Sequence, residues 1–419
     1  MTSDTRTTDA AAQASWPGSR NQAAHDDTLP LAGITVISLE HAVAAPFATR
    51  QLADWGARVI KVERPGSGDF ARGYDETVNG LASHFVWLNR GKESITLDLK
   101  NPDARAALEC LLAQADVLVQ NLAPGASARM GLDFETLHAT YPKLIVCDIS
   151  GYGDDGPYRD KKAYDLLIQA EAGLIGITGS ADTPARCGIS IADIAAGMYA
   201  YTGIQTALLR RTRSGLGCRV EVSMLEALGE WMNYALYFGA YGGTPPAREG
   251  ATHPAIAPYG PHRTGDGKEV IFGLQNEREW LTFCTQVLEN PALASESRFA
   301  SNSLRVKHRP ALTAIIEETL SPMTAEQVVA RLDRAGIANG RLNKMDALWE
   351  HPQLKARERW CEIGTEAGPV AALKPPANLS GLIPAMGDVP ALGAHTDTVL
   401  REFGYDSTRI DELRKSQAI

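Results

Sequence analysis

The stretch Ile34-Thr35-Val36-Ile37-Ser38-Leu39, followed by Pro46 to Trp55 and then Arg58-Val59-Ile60-Lys61-Val62, decides the fold. Its first and third pieces are short β-branched, apolar runs of the kind that form buried strands. The middle piece reads as a helix begun by proline. Together they make a βαβ unit. A second unit follows, because Pro102 to Gln114 is helical, Asp116-Val117-Leu118-Val119 is an apolar strand, and Leu144-Ile145-Val146-Cys147 repeats it after an intervening helix. Right-handed crossovers place the loops after these strands along one edge of a parallel sheet, where doubly wound proteins bind ligands. The expected fold class is α/β, and function is to be sought in those loops.

Asp193 to Arg213 reads as a long helix, with Ala195, Ala196 and Gly197 in its first turns and Arg210, Arg211 and Arg213 at its end. Gly239 to Gly267 is crowded with Gly and Pro and marks either a boundary between lobes or a covering loop. Helical patterns at Glu277 to Leu288, Arg309 to Leu320 and Ala325 to Ala335 fill a smaller lobe, and a Pro-rich passage from Pro369 to Pro390 precedes a last helical segment. A chain of 419 residues is long enough for two such lobes.

Composition narrows the function. No apolar run approaches the roughly 20 residues that span a bilayer, so no membrane association is expected. A formal charge of -9 argues against nucleic acid as a partner but leaves room for a local basic pocket. The six cysteines, Cys110, Cys147, Cys187, Cys218, Cys284 and Cys361, have no metal-binding spacing and read as buried thiols of a reducing, cytoplasmic compartment. No metal site is expected. Residues 1 to about 30, rich in Ala, Ser, Thr, Asp and Gln, read as a disordered leader without the apolar core of a secretory signal.

No P-loop, GxGxxG after the first strand, GxSxG elbow or HExxH helix is present. What remains is a set of polar residues after predicted strands: His41 to Pro46, Arg64 to Asp69, Asn121 to Arg129, and Gly151 to Lys162. Taken singly, Arg64, Lys100, Arg129 and Lys162 are ordinary surface charges, and Gly125 is turn geometry. Placed together at one sheet edge, the four cations would cradle phosphates. Asp193 follows the apolar stretch ending at Ala192, so its spacing reads first as an N-cap, although the same geometry would hold an ionised nucleophile beside small residues that admit a substrate.

The sequence resembles family III CoA-transferases over about residues 31 to 419. The resemblance is carried by Leu31-Ala32-Gly33-Ile34-Thr35-Val36-Ile37, Leu52 to Glu63, Lys92 to Lys100, Gly151-Tyr152-Gly153, Gly156-Pro157-Tyr158, Ala192-Asp193-Ile194-Ala195-Ala196-Gly197, Val220 to Ala227, and Gly393-Ala394-His395-Thr396-Asp397. It implies a Rossmann-like, CoA-binding large domain over 31–224, a linker and smaller α+β domain over 225–335, a return to the large domain over 336–419, and an interlocked homodimer. It implies Asp193 as nucleophile, with Ala42, Val43, Ala44, Arg64, Leu97, Lys100, Asn121, Leu122, Arg129, Lys162 and Met224 lining the CoA site. Val43 and Leu122 depart from the glutamine and phenylalanine of formyl-CoA transferase. Tyr74 stands where that enzyme has a gating aromatic residue.

The resemblance implies no permanently bound cofactor, since the CoA thioester is itself a substrate. The expected partners are an acyl-CoA and a carboxylic acid. His41, Arg72 and Arg186 are candidates to hold a second carboxylate, which points to dicarboxylates such as succinate, mesaconate, itaconate or citramalate. An α-methylacyl-CoA racemase is the nearest alternative, but such racemases place a His where this chain has Tyr164, a poor proton shuttle at neutral pH. A noncatalytic acyl-CoA-binding protein, with Asp193 only a cap, is the third reading.

Overall fold

The computed structural model describes residues 27–419. The leader expected up to residue 30 therefore falls almost wholly outside the described residues. Leu29, at its end, is 5% exposed, and it packs where a Cβ on Gly56 would come within 2.7 Å of it.

Six parallel strands form the main sheet: β1 (Thr35–Leu39), β2 (Arg58–Glu63), β3 (Lys92–Thr96), β4 (Val117–Gln120), β5 (Ile145–Ser150) and β6 (Arg219–Ser223). Their order is β3-β2-β1-β4-β5-β6. Between them run α1 (Ala44–Asp54), α2 (Ser83–Asn89), α3 (Pro102–Leu112), α4 (Ala126–Arg129) and α5 (Phe134–Thr140). All four residues of β4 and five of the six in β2 are buried, as in a sheet covered on both faces. One covered face joins Ile37, Ile60, Ile95 and Leu118 to Leu108 and Leu111 of α3 and to Val399, Leu400, Ile410 and Leu413 of the two C-terminal helices.

Two strands escape the sequence pattern. β3 reads Lys-Glu-Ser-Ile-Thr, and β6, at the sheet edge, reads Arg-Val-Glu-Val-Ser. Neither shows an apolar run. The helix expected from Pro46 begins two residues earlier at Ala44, and the one expected from Asp193 begins at Ile191. Of the six cysteines, expected to be buried, Cys147 and Cys284 are buried whereas Cys110 is exposed, because it sits on the outer side of α3.

The described residues form two compact units, 27–163 with 193–227 and 353–419, and 164–192 with 228–352. The first holds the parallel sheet and a hairpin of β10 (Trp360–Ile363) and β11 (Val370–Leu373). The second holds α6 (Asp165–Glu171), α7 (Leu174–Ile177) and an antiparallel sheet of β7 (Tyr259–Arg263), β8 (Glu269–Gly273) and β9 (Asn339–Arg341). Its core gathers Phe272, Trp280, Phe283, Phe299, Ile316 and Val328. Pairing of β9 with β8 keeps residues 339–341 in this unit, where the sequence reading already has the chain returning to the large domain. Three further helices matter below: α8 (Ile191–Ser214), α9 (Met224–Trp231) and α10 (Asn233–Gly242). The Gly- and Pro-rich passage begins inside α10 and ends beyond β7. No described helix is long and apolar enough to cross a membrane. Among the described residues no cluster of His, Cys, Asp and Glu is arranged to hold a metal ion.

Candidate active site

The strand order reverses between β1 and β4, so the loops leaving their C-terminal ends diverge and open a crevice. Asn121 fastens the two loops at its base. The His41 N–H donates to Asn121 Oδ1 at 2.9 Å, and Asn121 Nδ2 donates to the His41 carbonyl at 2.8 Å. The next residue, Ala42, has φ +62°, a left-handed conformation that costs an L-residue roughly 1–2 kcal/mol. Its N–H donates to Asp69 Oδ1 at 3.2 Å. The bend turns the chain at once into α1, whose Val43 N-cap supplies no side-chain hydrogen bond. The first N–H groups of α1 therefore have no side-chain cap.

The opening turns of α8 pack against this head of α1. A Cβ on Gly197 would come 2.6 Å from the Ala44 carbonyl oxygen and 3.0 Å from Phe47, so only glycine permits the approach. Asp193 lies one turn earlier on the same face. The expectation that Asp193 caps the helix is corrected: it sits within the first turn, and the Ala192 N–H donates to Asp165 Oδ1 at 2.8 Å. Asp165 does the capping, held in turn by Gln169 Nε2 at 2.7 Å. A carboxylate in the first turn still gains from the helix dipole, which favours its ionised form.

Beneath the crevice lies a layer of buried charge. Glu40, Lys61 and Asp69 are fully buried, Lys92 is 3% exposed and Glu63 2%. Lys61 Nζ donates to Asp69 Oδ2 at 2.8 Å and reaches Glu40 Oε1 at 3.4 Å; Lys92 Nζ donates to Glu40 Oε1 at 2.7 Å, and Thr49 Oγ1 to Glu40 Oε2 at 2.7 Å. Burial alone would raise the Glu40 carboxyl, but the Lys92 and Lys61 charges outweigh it and hold the group below its ordinary value. Asp69 behaves alike, with burial overcome chiefly by Lys61. Burial is also the largest influence on Lys92, and it brings that ammonium down to about 8 despite Glu40. Sequence reasoning missed this layer. Its one signal is a lysine in the middle of the apolar run Val59-Ile60-Lys61-Val62.

The residues matched to a CoA site lie at the C-terminal ends of all six strands. Val43, Ala44, Leu97 and Met224 are 3%, 2%, 2% and 7% exposed, so they offer backbone and aliphatic edges only. Ala42, Asn121 and Leu122 are half-buried at the crevice. Arg64, Lys100, Arg129 and Lys162 are exposed, one in the connection after each of β2, β3, β4 and β5. Gly125, with φ +69°, starts the short helix that ends at Arg129, and a Cβ there would meet the guanidinium at 2.9 Å.

The four acyl-pocket candidates divide. His41 stacks on Phe70 at 5.3 Å, and Phe70 tilts against Tyr74 at 5.8 Å, so His41 and Tyr74 share one aromatic row with Tyr74 48% exposed. Arg72, expected to hold a second carboxylate, is instead bound to one already present. Its Nε and Nη2 donate to Glu63 at 2.9 and 2.7 Å, and its guanidinium lies 3.7 Å from the centre of the Phe85 ring. Arg186 belongs to the second unit, is exposed, and donates to the Cys187 carbonyl.

The chain is similar to known proteins over most of its length. The family profile of CoA-transferase family III matches residues 31–396. A succinate–glutarate CoA-transferase of Agrobacterium fabrum is 34% identical over 389 residues, covering 89% of this chain and 96% of its own. A succinyl-CoA–D-citramalate CoA-transferase of Chloroflexus aurantiacus is 33% identical over 380 residues, covering 89% and 94%. Among solved structures, a CaiB/BaiF family protein from Brucella suis superposes with a TM-score of 0.79 at 33% identity, covering 90% of this chain and 99% of that one. The six-stranded sheet, the crevice at its point of reversal and these full-length similarities lead to one conclusion: the chain belongs to CoA-transferase family III and is a CoA-transferase.

Proposed function

We propose that the protein carries coenzyme A from succinyl-CoA or a similar acyl-CoA to a short dicarboxylic acid, with Asp193 as the covalent carrier. The observation that carries this reading is the seat of Asp193, in the first turn of α8 and on the face that packs against the head of α1. An ionised carboxylate attacks the donor thioester carbonyl, the C–S bond breaks, and a mixed anhydride and CoA thiolate result. The thiolate then attacks the aspartyl carbonyl, releasing the donor acid and leaving an aspartyl thioester. The acceptor carboxylate reverses both steps. Thioester energy is conserved throughout, and no nucleotide is consumed.

The first N–H groups of α1 are suited to receive the oxyanions of these steps, because they carry no side-chain cap. Arg64, Lys100, Arg129 and Lys162, exposed around the same edge, are suited to the CoA phosphates. The dicarboxylate acceptor is supported by the substrates named for the Agrobacterium and Chloroflexus relatives, glutarate and citramalate. His41 and Tyr74 are the residues we place beside its distal end. The compartment is cytoplasmic.

We further infer a homodimer. α10 is apolar on every side, and Tyr234, Leu236, Tyr237 and Tyr241 are 55%, 61%, 59% and 85% exposed in the single chain. A helix of that composition is stable when covered, and a second copy covers it.

The reading is tested by incubating the protein with succinyl-CoA and a panel of free acids in deuterated water, with products followed by mass spectrometry. Transfer to dicarboxylates without deuterium at the acyl α-carbon supports it. Transfer only to monocarboxylates removes the dicarboxylate assignment, and α-deuteration without transfer makes the protein a racemase.

A further inference from the structure

We propose that Asp69 is a positioning residue for the transfer reaction: through the Ala42 N–H it holds the chain between β1 and α1 in the bent form that aims the head of α1 at the turn carrying Asp193. This rests on the reading of Asp193 as the carrier. Alanine has no polar side chain with which to stabilise a left-handed backbone, so Ala42 keeps φ +62° only because its surroundings hold it. Two holds are visible. The Asn121 amide grips both backbone groups of His41, and Asp69 Oδ1 accepts the Ala42 N–H.

Asp69 is fixed more firmly than a turn requires. Its own N–H donates to Glu63 Oε2 at 2.9 Å, its Oδ1 also accepts the Ala71 N–H at 2.9 Å, and its Oδ2 takes the Lys61 ammonium at 2.8 Å. The Ala71 bond alone would serve the short helical turn Phe70–Gly73. A buried lysine with two carboxylate partners adds nothing to that turn, but it fixes which Asp69 oxygen faces Ala42. His41 Nδ1, 3.8 Å from Oδ1, is too far to take that oxygen from the Ala42 N–H.

Asp69→Asn breaks the hold selectively. Lys61 will claim the amide oxygen, turning the amide NH2 towards the Ala42 and Ala71 N–H groups, so the acceptor is lost. Alanine then disfavours the left-handed bend by about tenfold, whereas glycine adopts it freely. The experiment measures single-turnover formation of the hydroxylamine-trapped enzyme from succinyl-CoA, with overall transfer rates, in wild type, Asp69→Asn, Ala42→Gly and the double variant.

Asp69→Asn is expected to slow trapping at least tenfold, and adding Ala42→Gly is expected to restore about tenfold relative to Asp69→Asn alone. A role in capping the turn predicts no restoration. An Asp69→Asn enzyme within twofold of wild type, or a slowing that Ala42→Gly leaves in place, overturns the proposal. If Asp69→Asn does not fold, Asp69→Leu with Lys61→Met removes both charges together, which a buried pair tolerates better than losing one partner, and the same rescue is sought. A wild-type label on a residue other than Asp193 would sink the carrier reading alone, since the overall rates of the four proteins still decide the role of Asp69.

Discussion

Two groups of cations meet at one edge of the parallel sheet and do opposite work. Below the crevice, Lys61, Lys92 and Arg72 are buried or nearly so, and each is paired with Glu40, Asp69 or Glu63 at hydrogen-bonding distance. Around the rim, Arg64, Lys100, Arg129 and Lys162 stand in solvent. A lysine that has surrendered its hydration to a buried carboxylate cannot also bind a phosphate, and a solvated one contributes little to folding. The floor therefore holds shape, and the rim is where we propose that the CoA phosphates bind. Residue type does not distinguish them; burial and pairing do.

The largest effect expected from this contrast is on stability. Lys61→Met leaves Asp69 and Glu40 buried with too little positive charge and is expected to cost about 3–5 kcal/mol in urea unfolding. A loss below about 1 kcal/mol would break the division at its strongest point. Arg72→Met tests a residue that the sequence places with ligand and the structure places in the floor. Loss of two hydrogen bonds to Glu63 is expected to cost about 2–3 kcal/mol, with the KM for dicarboxylate acceptors nearly unchanged. Unchanged stability with a large rise in that KM would move Arg72 to the rim.

Acid sharpens the comparison. Against the effect of burial, Lys61 holds the Asp69 carboxyl below its ordinary 3.8, and Arg72 with Lys61 holds Glu63 below 4.5. In both cases the unfolded chain binds the proton at higher pH than the folded one. Their stabilisation is therefore complete above about pH 5 and lost as pH falls through the folded values. Asp69→Asn is expected to flatten the acid limb by at least about 1 kcal/mol relative to wild type, read from urea unfolding at successive pH values. An unchanged acid limb would mean that Asp69 is not ionised in its pocket.

The smallest stability effects are expected at the rim. Lys100→Ala and Arg129→Ala are expected to shift unfolding by no more than about 0.5 kcal/mol, while raising the KM for acyl-CoA several-fold and weakening its dependence on salt. A KM that does not move would remove those residues from the phosphate site.

Much of this was legible in the sequence where apolar pattern carries the information. β1, α1, β2, β4 and β5 emerge from their own residues, since burial on both faces of a parallel sheet demands apolar runs. β3 does not, because Lys92 and Ser94 are buried by pairing with Glu40 and Glu63, contacts that no local pattern records. β6 is hidden for another reason. As an edge strand it turns Arg219 and Glu221 outward, where Arg219 binds Asp148 at 2.8 Å. Arg72 misled because a lone arginine after a strand reads as a ligand group until its partner is known. Asp193 is singled out by resemblance alone, and its spacing suggests a cap that Asp165, some 28 residues earlier in the chain, in fact supplies. That displacement makes Asp193→Ala a cleaner variant than a cap residue would allow.

The most direct measurement follows oxygen through Asp193. During turnover of succinyl-CoA with glutarate labelled with heavy oxygen in its carboxylates, the acceptor oxygen that bridges the anhydride must stay with the aspartate when CoA departs with the glutaryl group. The account predicts one heavy oxygen on Asp193 after a single turnover, rising to two over repeated turnovers as each aspartyl oxygen departs in turn, with heavy oxygen appearing in released succinate from the second turnover on. An unlabelled Asp193 after many turnovers, with glutaryl-CoA formed at the full rate, would contradict it.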